Sequence, residues 1–124
     1  MIRKFLALAG ILGLVLVLQA QTPKTVTVEG YIMDNMCVGD HAKEAGFGEK
    51  IKKHPTSCAL MDSCVSSGYA VFTADAKLYK FDSDGNAKAV ELLKATKTKA
   101  GVPIVVEGII DGDVIKVTKI SEKS

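Results

Sequence analysis

The chain has no tryptophan, three prolines, two histidines and no real excess of either charge: 16 Lys+Arg face 14 Asp+Glu in 124 residues. A formal charge of +2 is too small for a protein that coats nucleic acid. Hydrophobic residues at 48% and charged ones at 24% exclude a disordered, collagen-like or coiled-coil chain. No G-x-S-x-G elbow, H-E-x-x-H helix or phosphate-binding glycine loop is present, which removes the common hydrolase and nucleotide-binding signatures. There is no C-x-x-C pair, and three cysteines cannot all pair within one chain. The length suits a single domain.

What is there begins with a leader pattern. Arg3 and Lys4 precede an apolar run from Phe5 to Leu18, and Ala20 offers a small residue before polar Gln21-Thr22-Pro23. This predicts a signal peptide over 1–20 and an exported protein, periplasmic or secreted. The competing reading is an uncleaved anchor, but the run falls short of the ~20 apolar residues of a comfortable span. Cleavage removes Arg3 and Lys4 and leaves 14 basic against 14 acidic residues, so the excess charge belongs to the leader. The mature chain is therefore expected to bind no nucleic acid and to keep no stable membrane span. Export also places the cysteines where a disulfide is permitted.

The mature chain, 21–124, reads as one mainly β domain. Residues 25–33 alternate with a period of two, the mark of a half-buried strand, and Gly30 predicts a bulge or a sharp bend in it. Residues 34–53 read as loop with a short helical piece. Pro55-Thr56-Ser57 looks like the start of one helix running to about Ser66, with Gly68 as its stop. Residues 69–73 and 78–81 are expected strands. Asp82 to Asn86 reads as a turn cluster, and 87–96 as a helix with Val90, Leu92 and Leu93 on one face. Strands at 102–110 and 114–120 meet at Asp111-Gly112, a strong hairpin signal. Pro103 suits an edge strand or the start of a strand. The order predicts a small five-stranded OB-like Greek-key barrel, with a Cys-bearing helical insertion at 34–68 between strands 1 and 2 and a helix between strands 3 and 4.

The chemistry is concentrated in that insertion. Met33, Met36, Cys37, His41, His54, Cys58, Met61 and Cys64 include every cysteine, every histidine and all methionines but Met1. Cys37 and His41 are four apart, so one helical turn would put them on one face. Cys58, Met61 and Cys64 step by three. On one intact helix Cys58 and Cys64 would lie about 9 Å apart along the axis, beyond the ~7 Å that a disulfide tolerates between Cα atoms.

Three readings follow. Cys37, His41, Cys58 and Cys64 could close a tetrahedral set around zinc, or the thiolates with nearby thioethers could favour copper(I). Alternatively, Cys37 pairs with Cys58 or Cys64 as a staple in an interaction module without metal. A redox thiolate would need an electropositive pocket, for which only the Lys50, Lys52 and Lys53 run is at hand. As auxiliaries, Asp34 is expected to cap the loop after the first strand or to orient His41, while Met61 suits the core and His54 an exposed loop. Tyr69, Phe72, Tyr79 and Phe81 are expected to pack the sheet rather than stack bases.

Gly30-Tyr31-Ile32-Met33-Asp34-Asn35-Met36-Cys37, followed by His41, resembles the G-[WY]-I-x-D-x-x-C-x-x-x-H opening of a group of small exported bacterial proteins of unknown function. The likeness continues through a second cysteine pair, Lys77-Leu78-Tyr79-Lys80, Val105-Val106-Glu107-Gly108 and 112–117. The cysteine pair is wider here than the group's C-x-x-x-C. The resemblance implies only an exported OB-like domain with a Cys/His cluster, and the group has no established activity to carry over. The sequence thus leads to a non-enzymatic metal-binding protein, with a metal ion and a protein of the cell envelope as the partners expected.

Overall fold

The computed structural model describes residues 24–39 and 41–124. The leader expected at 1–20 lies outside them. Five strands form a mixed sheet: β1 (Val26–Asp34), β2 (Tyr69–Thr73), β3 (Leu78–Phe81), β4 (Pro103–Asp111) and β5 (Val114–Glu122). The pairings run β1-β2-β3-β5-β4 and return to β1, so each strand has a hydrogen-bonded neighbour on both sides. All are antiparallel except β3 with β5. Among the described residues no helix is long and apolar enough to cross a membrane.

The five strands fall within two residues of their expected bounds. β2 and β3 have the expected bounds, and Pro103 opens β4 opposite Tyr31. The hairpin turn falls one residue later than the Asp-Gly signal, since Asp111 pairs with Val114 and Gly112-Asp113 are the central residues. Alternation along β4 buries Ile104 and Val106, and along β5 Ile115 and Val117. These close on Ile32, Tyr69, Val71, Phe81, Ala89 and Leu93 in the main core.

β1 serves two partners. Its first half pairs with β4 and its second half with β2, and Gly30 faces both Ile104 and Thr73. A Cβ at Gly30 would lie 2.2 Å from the Phe72 carbonyl oxygen. The glycine therefore lets β2 approach where β1 bends between its neighbours, as its position predicted.

The turn cluster at 82–86 is corrected. Asp82 is the N-cap of a helix, Ser83–Ala95, and its Oδ1 accepts from the amides of Gly85 and Val117, both at 3.1 Å. Residues typical of turns are also helix starters, because their short side chains bind exposed backbone N–H groups. One carboxylate here caps the helix and ties it to β5.

The insertion between β1 and β2 breaks into short pieces: α1 (Asn35–Val38), a 3-10 turn (His41–Lys43), α2 (Phe47–Ile51), α3 (Thr56–Ala59) and α4 (Asp62–Ser67). The helix at 83–95 is then α5. The single helix expected over 55–66 does not form. Leu60 ends α3, and Met61 is extended, with ψ 146°. The ~9 Å separation argued for Cys58 and Cys64 loses its basis with it.

A second small core holds the insertion to the outside of the sheet. Met33, Val38, Phe47, Ile51 and Phe72 are all buried there, and the Phe47 and Phe72 rings meet edge to face at 5.0 Å. Ile32 and Met33 are thus buried on opposite faces of β1, which explains why alternation fades at that end. Met33 is core, whereas Met36 and Met61 are exposed, so the core placement expected for Met61 is corrected.

Candidate metal centre

β1 ends on Asp34, which is completely buried. Its Oδ2 accepts from the Cys37 amide at 2.9 Å and so caps α1. This fixes Cys37 one turn beyond the strand end. Asn35 ties the same turn to the far end of the insertion. Its amide donates to the Gly68 carbonyl and its side-chain nitrogen to the Ser67 carbonyl, both at 2.9 Å. That closure brings α4, with buried Cys64, beside α1.

A second set of bonds positions the middle of the insertion. The loop between α5 and β4 pairs with residues 54–56: Thr56 N–H donates to Lys99 O at 2.9 Å, and Gly101 N–H donates to His54 O at 3.0 Å. Gly101 has φ +60°, and a Cβ there would lie 2.3 Å from the Lys52 carbonyl oxygen. The Tyr69 hydroxyl, fully buried, donates to Ala59 O at 2.7 Å and secures α3 immediately after Cys58.

The result is two donor groups that share one thiol. Donor atoms of Cys37, His54 and Cys58 lie within 4.8 Å of one another, and so do those of Asp34, Cys37 and Cys64. Of the expected residues, Cys37 is therefore brought to Cys58 in one group and to Cys64 in the other, and no one group holds both Cys58 and Cys64. All three are free thiols. His41 stands in neither group. α1 stops at Val38 with Gly39 as its cap, so the turn that would have carried His41 onto the face of Cys37 is never completed. His41 is exposed, and its Nδ1 lies 2.7 Å from Glu44 Oε1.

His54, expected in an exposed loop, takes the inner place, with its side chain only 15% exposed. It sits four residues before Cys58, just as His41 sits four after Cys37. The spacing could not choose between them. Asp34 orients His54 rather than His41: His54 Nε2 lies 3.0 Å from Asp34 Oδ1. Met61, at 56% exposure, stands on the surface beside α4.

The electrostatics follow from burial. Burial pushes the Asp34 carboxyl up, but His54, the Cys37 amide and weak S–H contacts from Cys37 and Cys64 together outweigh it and hold the pKa at about 2. Asp34 is therefore an anion and only accepts. Its partner nitrogen on His54 therefore donates, and in the neutral ring the lone pair is then on Nδ1. A carboxylate on one ring nitrogen is the usual companion of a metal-ligating histidine. Burial and the neighbouring Asp34 charge push the Cys37 thiol up to about 12, and burial raises Cys64 as well. At neutral pH these two are thiols, not the thiolates that redox chemistry requires. A cation at the site would supply the positive charge needed to release their protons.

No protein family matches the chain, and searches among curated proteins and solved structures find no match either.

Proposed function

We propose that this is an exported, non-enzymatic metal-binding protein that holds zinc or copper(I) through Cys37, Cys58, Cys64 and His54, with Asp34 orienting the imidazole. The observation that carries this reading is the Cys37 thiol, shared between the His54–Cys58 group and the Asp34–Cys64 group. Three thiolates and one imidazole make an ordinary tetrahedral zinc set, and the same soft donors suit copper(I). Such a set leaves no open position for a substrate, which favours storage, transfer or a structural role over catalysis. His54 replaces His41 in the set expected from sequence.

The cyclic pairing order and the helix between β3 and β4 favour an OB-like Greek-key barrel as the scaffold. The pattern at residues 1–20 favours export, and a protein of the cell envelope is then the expected exchange partner.

Metal content tests the reading. The reduced protein should take up one zinc or copper(I) per chain and gain melting temperature on loading. No uptake, with an unchanged melt in both metals, overturns it. A second reading, a disulfide-stapled interaction module without metal, is favoured by the same closeness of Cys37 to Cys58 and to Cys64. Thiol counting separates the two: one free thiol on the unfolded, unreduced chain indicates a staple, and three free thiols that become protected in the folded chain only with metal indicate a centre.

A further inference from the structure

The candidate centre is not sealed evenly. Asp34 is fully buried and Cys64 nearly so, whereas Cys37 is half-buried and His54 retains some exposure. Cys37 and His54 also line an open cleft of about 240 Å³ with Met33, Phe47, His41 and Glu44. His41 and Glu44, with side chains 62% and 49% exposed, mark its solvent side.

The outer pair repeats the inner one. In the interior, a carboxylate binds one nitrogen of His54 and leaves the other free. In the outer pair, Glu44 binds His41 Nδ1 at 2.7 Å, and among the described residues nothing bonds to Nε2. Both arrangements hold a ring by one nitrogen, so that the neutral ring turns its lone pair to the other. The outer one has in addition a competing cation, since Lys50 Nζ lies 3.9 Å from Glu44 Oε2 and lines the same cleft.

The geometry points to His41 and Glu44 as a transient cation site at the mouth of this cleft, through which the metal passes to and from Cys37 and His54. This rests on the metal-centre reading and adds the route. A hydrated cation exchanges one or two waters for the exposed imidazole and carboxylate. It then moves inward to the softer donors, which give up their protons to solvent as they bind. Lys50 opposes it by occupying Glu44. The site lowers the barrier in both directions, so it alters rates while leaving occupancy at equilibrium unchanged.

The test is stopped-flow mixing of the reduced full chain with Zn2+, and separately with Cu+, followed by release to a coloured chelator. His41→Ala and Glu44→Gln should slow both uptake and release by at least about fivefold, as removal of a steering group at a charged mouth does. Lys50→Ala should speed them. All three should still hold one metal per chain and melt like the parent without metal. A role in fold maintenance would not produce opposite signs from neighbouring exposed residues. Full occupancy with unchanged rates overturns the route and leaves the centre standing. Loss of bound metal in His41→Ala overturns it too, by making His41 a permanent ligand. A parent chain that binds neither metal overturns the centre and the route together.

Discussion

The two histidines each lean on a carboxylate, but the two pairs lie at different depths of one insertion. Asp34–His54 has a side chain with no exposure and one with 15%; His41–Glu44 has 62% and 49%. The chemistry of the pairs is the same. What differs is the surrounding dielectric and therefore the energy at stake. An exposed ion pair is worth little, because water competes for both partners. A buried carboxylate with several donors cannot lose them without leaving charge unpaired in the interior.

The sharpest way to break the comparison is to remove each carboxylate. Asp34→Ala should cost about 3 kcal/mol in urea denaturation and abolish metal uptake, because it strips the cap from α1 and the support from His54. Glu44→Gln should leave the denaturation curve unchanged. Equal effects at the two sites would show that depth does not govern them.

Acid titration distinguishes the pairs in the absence of metal. Asp34 has its pKa lowered from 3.8 to about 2. Its stabilisation is thus present above the unfolded value and is lost as pH falls through the folded one. The parent should lose roughly 2 kcal/mol between about pH 4 and pH 2 through this group, and Asp34→Asn should show a flatter curve there.

Gly101→Ala tests the support of the inner histidine from behind. A Cβ at φ +60°, aimed at the Lys52 carbonyl, should displace residues 52–54. A stability loss of about 1–2 kcal/mol should come with weaker metal affinity, measured by chelator competition. A smaller effect is expected from Tyr69→Phe, which removes the buried bond to Ala59 O and should cost about 1 kcal/mol. Metal affinity itself should climb with pH. Cys37 and Cys64 are protonated near neutrality, so binding releases at least two protons and strengthens at least about 100-fold per pH unit between 6 and 8.

The strands were legible because alternation, β-branched residues and turn glycines agree along β1, β4 and β5. The helices were less so. Asp82 looked like a turn and proved to be a cap, since the same side-chain chemistry serves both. The 55–66 stretch was expected as one helix, and no glycine or proline within it after Pro55 signals the break at Leu60–Met61. Of the candidate centre, the three cysteines were legible from their crowding into one insertion. The histidine was not, because Cys37–His41 and His54–Cys58 have the same spacing.

By itself, the sequence determined where the strands lie along the chain, the place of the insertion and the confinement of soft donors to it. These depend on local pattern and composition, which are written along the chain. Only the tertiary structure decided which histidine faces the thiols. That choice depends on Gly39 ending α1 early, on Asp34 being buried within reach of residue 54, and on the loop before β4 holding His54 from the other side. The last two contacts join residues twenty or more positions apart, and no spacing rule along the chain encodes them.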